Sequence, residues 1–177
     1  MEILSLSLNQ LTHVFKNEYS KGAYHAEAVY KEIFKKGNHK FWQSTAFQKS
    51  ADFADQLRQI LRISPGEVID QFKDGGLTKF ITRFTDNKKI ESVIIPMNRH
   101  KTLCVSSQVG CKMRCRFCET GRMGFDRNLD PHEITGQLYN ARFTLGHEIK
   151  NIVFMGMGEP LDNIDNVMQA LKIMNEQ

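Results

Sequence analysis

A chain of 177 residues, 41% hydrophobic and 25% charged, has the make-up of a folded globular protein and excludes disordered and collagen-like classes. Its net charge of +4 permits a phosphate-rich partner without demanding one. No apolar stretch approaches the length of a membrane span, and the start, "MEILSLSLNQ", carries an acid where a signal peptide would be basic. A cytoplasmic protein with no membrane partner is expected.

The first part of the chain reads as helical. "LNQLTHVFKNEY" (8–19), "YHAEAVYKEIFKKG" (24–37) and "FQKSADFADQLRQILRI" (47–63) place apolar side chains at three- and four-residue spacing, with Gly37 as a stop. Val14, Phe15, Ala28, Val29, Ile33, Phe34, Leu57 and Ile60 are the expected core of this helical module, and Phe41 and Trp42 are read as core. After Pro65 the period becomes two, in "VIDQF" (68–72), "KFITRF" (79–84) and "ESVIIP" (91–96), separated by the turn chemistry of "KDGG" and "TDNKK". Antiparallel strands follow from that pattern.

From Lys101 the pattern changes again. "TLCVSS" reads as a strand and a cysteine-bearing loop follows it. "DPHEITGQLYNARFTLG" (130–146) reads as a helix capped by Asp130, Pro131 and Glu133. "NIVFMGM" (151–157) is apolar enough for a parallel strand buried on both faces, and 162–176 returns as a helix. The expected class is α/β, α+β overall: a helical domain (1–64), a short antiparallel β segment (65–100), then two βα units (101–177). Two such units leave a parallel strand edge unpaired, so either the earlier β segment pairs with them or the chain is the front part of a longer protein. The truncated reading is preferred.

All four cysteines, Cys104, Cys111, Cys115 and Cys118, lie between residues 104 and 118. In a reducing compartment that clustering points to a metal or to catalysis instead of a disulfide framework. Cys111, Cys115 and Cys118 follow C-x3-C-x2-C with Phe117 before the third, so three thiolates can hold three corners of a [4Fe-4S] cubane and leave one iron open. The same spacing would also line one helix face with small apolar residues, but Lys112, Arg114 and Arg116 stand between them and Gly110 and Gly121 bracket a loop. A structural zinc would need a fourth ligand, and the one remaining thiol, Cys104, sits across a strand. Lys112, Arg114, Arg116, Arg122 and Arg127 crowd the loop and are candidate phosphate contacts.

The cysteine motif with its aromatic resembles the radical S-adenosylmethionine superfamily. The joined strings "TLCVSSQVGCKMRCRFCETGRMGFDRNL", "EITGQ" and "NIVFMGMGEPLDN" are more specifically similar to the RlmN/Cfr-type adenosine RNA methyltransferases, N-terminal half. The resemblance implies a partial (βα)6 barrel, a [4Fe-4S] cluster on Cys111, Cys115 and Cys118, and S-adenosyl-L-methionine at Met157, Gly158 and Glu159. An acid after Gly156-Met157-Gly158, with no third glycine, argues against a dinucleotide fingerprint there. It further implies Glu91 as the base that takes the ring proton and Cys104 as the thiol that resolves an enzyme–RNA adduct by forming a disulfide with a late, methyl-carrying cysteine.

The implied activity is methylation of an adenine ring carbon, C2, in 23S rRNA and also tRNA, with an electron donor as partner and a monomeric enzyme. This chain contains no fifth cysteine, so as written it is not expected to complete that cycle. Glu119 after the third cysteine and "NRHK" (98–101) with His100 depart from the family pattern and bear on substrate choice. Two other readings stand beside this one: a non-catalytic metal-stabilised RNA-binding module, and a divergent radical enzyme with a non-RNA substrate.

Overall fold

The computed structural model describes residues 1–177. Helix α1 (Leu8–Tyr19) begins at a capping box in which the Gln10 amide N–H donates to Ser7 Oγ and the Ser7 N–H donates to Gln10 Oε1. Helix α2 (Ala23–Tyr30) runs on as a π turn over Lys31–Lys35 and stops at Gly37, whose φ is +62°. Helix α3 (Ala51–Ile60) is shorter than its sequence pattern, because Thr45–Phe47 form a separate 3-10 turn. These elements close on Leu11, Phe15, Val29, Ile33, Phe34, Phe53 and Leu57, with the Phe15 and Phe53 rings edge to face at 5.2 Å. Phe41 is buried in the same core, and Trp42 packs on its edge beneath the Arg58 guanidinium.

The helical segment does not stand apart from the rest. Its core takes in Tyr139 and Ile173 from the C-terminal helices, and Glu176 Oε2 accepts from the Leu8 N–H at 2.7 Å and from the Tyr30 hydroxyl at 3.1 Å.

A five-stranded sheet follows, in the order β1 (Glu67–Asp74), β2 (Leu77–Arg83), β3 (Lys89–Pro96), β4 (Lys101–Cys104), β7 (Asn151–Val153). The pairs from β1 to β4 are antiparallel, and β7 runs parallel to β4. The earlier β segment thus pairs directly with the first βα strand, through Val93 opposite Cys104. Two short strands outside the sequence reading, β5 (Gln108–Gly110) and β6 (Phe125–Asn128), form a separate ribbon after β4. The stretch read as one strand, "TLCVSS", ends at Cys104 because the chain then leaves the sheet for that ribbon.

Helix α5 (Pro131–Tyr139) starts as expected, with Pro131 in the first turn and the Asp130 N–H donating to Glu133 Oε2 at 2.9 Å. It continues as a π turn to Thr144, and α6 (Ile164–Asn175) lies beside it. Phe80, Ile90, Ile94, Leu103, Ile134, Leu138, Val167 and Ala170 form the core between the sheet and these helices. The expectation that 151–157 is buried on both faces is not met: β7 covers three residues, none fully buried, and Met155 beyond it is exposed. The reason is position, since β7 is the outermost strand and nothing packs beyond its free edge.

Truncating Phe15→Ala removes a fully buried ring from the helical core and is expected to cost about 3–5 kcal/mol in urea unfolding. A change below about 1 kcal/mol would show that this core contributes little to the fold.

Candidate metal and cofactor site

Because β4 and β7 are parallel, the segments after them emerge at the same end of the sheet. The cysteine loop follows β4 by way of β5, and the turn 156–160 follows β7. Cys111 is buried at the root of the loop, its N–H donating to the Gly124 carbonyl at 2.9 Å, while Cys115 is exposed and Cys118 half-buried. Gly110 fixes this root: its φ is +74°, and a Cβ there would fall 1.9 Å from the Gly124 oxygen. Arg114 takes a left-handed φ of +52°, and Cys118 leads into the short helix α4 (Glu119–Met123). The three thiols therefore lie on an irregular loop and not along a helix face.

All four cysteines are free. No group of three or more His, Cys, Asp or Glu side chains converges on a point fit for a single metal ion. Three thiols on one loop are the soft, three-donor set that a cubane takes on three of its irons. Cys111, Cys115 and Cys118 would hold it.

The turn after β7 is tied down by polar residues that were not singled out as site residues. Ser106 Oγ accepts from the Met157 N–H at 2.8 Å and its hydroxyl donates to the Glu91 carbonyl at 2.6 Å. Gln137, fully buried on α5, accepts from the Ser106 N–H at 2.8 Å and donates to the Ser106 carbonyl at 2.9 Å. It also accepts from the Ser92 hydroxyl at 2.8 Å. The Met157 carbonyl accepts from the amides of Ser107 and Gln108, and the Glu159 N–H donates to Gln108 Oε1 at 2.9 Å. Asn163 donates to the carbonyls of Ser107 and Leu129. The signal for these residues is present in "VSSQV", where three polar side chains interrupt an apolar run; buried polar groups need partners, and Ser106 and Gln108 find theirs while the Ser107 hydroxyl has none.

Gly158 sits against Gln108 with φ +99°, and a Cβ would approach the Gln108 Cβ to 2.6 Å. Only glycine allows that approach. Glu159 turns its Oε1 back to accept from the Leu161 N–H at 3.2 Å, capping the 3-10 turn Pro160–Asn163, and its Oε2 has no protein donor. One carboxylate oxygen is thus free to accept from an ammonium group, and the Gly156–Gly158 backbone carries no bulky barrier beside it. The residues present fit S-adenosylmethionine as well as the cubane.

Cys104 ends β4 opposite Val93, and Glu91 lies two residues from Val93, so the two share one sheet face. Burial pushes the Cys104 thiol above its ordinary range, partly opposed by a backbone hydrogen bond from Met155. Glu91 pairs with Lys79 at 3.2 Å, and its N–H points to Met157 Sδ at 3.4 Å. That places the carboxylate's strand directly against the glycine turn.

The five basic residues divide. Arg127 is committed to structure: it grips Glu133 through two 2.7 Å hydrogen bonds and Asp86 through a third, and these partners raise its pKa, Glu133 foremost. The expectation that it serves as a phosphate contact therefore does not hold, because its donors are spent on two carboxylates. Arg122 pairs locally with Glu119, and His100 meets Asn151 at 2.7 Å. Lys112 reaches Asp162 at 2.6 Å, and this contact, followed by Gln108, holds the Asp162 carboxyl below the usual range. Arg114 and Arg116 have no acidic partner. On the same loop and the segments after it Met113, Phe117, Met123 and Phe125 are exposed, Phe117 at 92%, as is Leu161 after the glycine-acid turn.

Residues 105–177 match the family model described as the Radical SAM superfamily. This part of the chain is thus similar to the radical SAM superfamily. Relatives matched along nearly the whole chain carry the name RlmN. "Probable dual-specificity RNA methyltransferase RlmN 1" of Protochlamydia amoebophila is 42% identical over 176 residues, covering 99% of this chain and 49% of the relative. The dual-specificity RNA methyltransferase RlmN of Syntrophus aciditrophicus is 42% identical over 178 residues, covering 98% and 50%. A crystal structure of a radical SAM methyltransferase from Sphaerobacter thermophilus superposes with a TM-score of 0.84 at 27% identity, over 100% of this chain and 52% of that one. The chain spans about half the length of the curated relatives it matches. No helix is long and apolar enough to cross a membrane.

Replacing Gln137→Leu strips Ser106 and Ser92 of a buried partner each and is expected to destabilise the protein by about 2–4 kcal/mol in urea unfolding. An unchanged midpoint would show that the buried network does not hold the turn.

Proposed function

We propose that this chain forms the cluster- and cofactor-binding part of a radical SAM RNA methyltransferase that acts on adenine C2 of 23S rRNA and of tRNA. The observation that carries the reading is the meeting of a three-thiol loop with a glycine-acid turn at one end of β4 and β7, joined through Ser106 and Gln108. A cluster held by Cys111, Cys115 and Cys118 would supply the electron needed for reductive cleavage of S-adenosylmethionine.

The residues of this chain would divide the remaining work. Cys111, Cys115 and Cys118 hold the cluster, while Met157, Gly158 and Glu159 orient the cofactor, with Glu159 Oε2 accepting from its ammonium. Glu91 takes a proton from the adenine ring on the face it shares with Cys104, and the protonated thiol of Cys104 is kept in reserve by burial until a second thiol meets it. Arg114 and Arg116, free of acidic partners, receive the RNA phosphates, and the exposed Phe117 offers a face for a base. An electron donor docks near the loop, and the enzyme works as a cytoplasmic monomer. We assign residues 1–64 to an accessory helical domain, 65–100 to a β segment and 101–177 to the start of the barrel. Because the chain carries only four cysteines, all with roles here, the full methyl transfer is proposed for a protein extending through the second half of its relatives' length.

Anaerobic reconstitution is expected to give a brown protein with about four irons per chain, lost in Cys115→Ala. With reductant and S-adenosylmethionine it should release 5′-deoxyadenosine. A colourless protein with one tight zinc and no release would favour the metal-stabilised RNA-binding module instead.

A further inference from the structure

The cysteine loop touches the rest of the site through one charged side chain. Of the cations on residues 111–118, only Lys112 finds an acid, and that acid, Asp162, lies on the turn that follows Glu159. Asp162 uses both oxygens: Oδ1 takes Lys112 at 2.6 Å and Oδ2 accepts from Gln108 Nε2 at 2.8 Å. Gln108 in turn is fully buried, donates a second time to Asn128 Oδ1 at 2.8 Å, and accepts from the Glu159 N–H at 2.9 Å. Its amide orientation is forced, since a carboxylate can only accept and a backbone N–H can only donate. A continuous path therefore runs from the residue beside Cys111, through one carboxylate and one amide, to the backbone of Glu159.

We propose that Asp162, gripped by Lys112 and Gln108, is a positioning residue that couples the cysteine loop to the glycine-acid turn, so that ordering the loop around its cluster tightens the turn that takes S-adenosylmethionine. The cofactor half of this statement rests on the proposed function; the coupling between loop and turn does not. Arg122, whose acidic partner is its own helix neighbour Glu119, and Arg114 and Arg116, which have none, offer no comparable route. Lys112 and Asp162 are partly exposed, so changing them leaves the core intact.

Two readouts test the coupling. In the metal-free chain, amide hydrogen exchange at Glu159 is expected to quicken about tenfold in Lys112→Met and in Asp162→Asn, and to return to the parent rate in Lys112→Arg. In the reconstituted protein, the same two variants are expected to keep their iron but bind S-adenosylmethionine about tenfold more weakly, with Lys112→Arg rescuing, and Lys112→Met combined with Asp162→Asn no worse than either alone. Parent-like exchange at Glu159 in Lys112→Met overturns the coupling, as do cofactor affinities that stay unchanged or effects that simply add. If the reconstituted parent takes up no S-adenosylmethionine, the proposed function fails and the exchange measurement decides the coupling by itself.

Discussion

The site depends on a short run of buried polar side chains, Ser106, Gln108 and Gln137, more than on any apolar contact. A strand end and a following turn have few reasons to stay together, because their backbone groups have left the sheet ladder and must find other partners. Ser106 accepts from Met157 and donates to Glu91, Gln137 closes both backbone groups of Ser106, and Gln108 takes the Glu159 amide. In a low-dielectric interior each of these bonds is strong and each would be costly to leave open, so the set favours a single arrangement. The Cys loop, the glycine turn and the Glu91 strand are all anchored to it.

The sheet explains why such anchoring is needed. β7 is three residues long, parallel to one neighbour and free on its other edge, so hydrogen bonding within the ladder alone holds the turn weakly. One face of the sheet is filled by α5 and α6; the other, with Glu91, Val93, Cys104 and Val153, carries the groups assigned to chemistry. That face carries none of the α5 and α6 packing, and the loop and turn that leave the same end of β4 and β7 expose Phe117 and Leu161 and carry Arg114 and Arg116 without acidic partners.

Much of the fold was legible. Helix α1 and the capping of α5 were written in periodicity and cap residues, and the three β strands after Pro65 in their alternation. The glycines and charges around the cysteines marked 111–118 as a loop, and the three thiols do lie on one. What could not be read was tertiary in origin. The ribbon β5–β6 exists because Gly110 meets Gly124 across a loop, and nothing local announces it. The shortness of β7 reflects its place at an edge, and the burial of Gln137 depends on Ser106 lying above it. Arg127 looked like a loop cation because sequence shows its neighbours along the chain and not Asp86, which lies 41 residues away.

The central claim is that the three-thiol loop and the Gly158–Glu159 turn form one site in which a cofactor reaches the iron that lacks a protein ligand. Mössbauer spectroscopy of the chain reconstituted with isotopically enriched iron, recorded before and after adding S-adenosylmethionine, tests this most directly. The account predicts that one iron of the cluster changes its environment on addition while the other three do not. Four irons that remain alike and unchanged would contradict it.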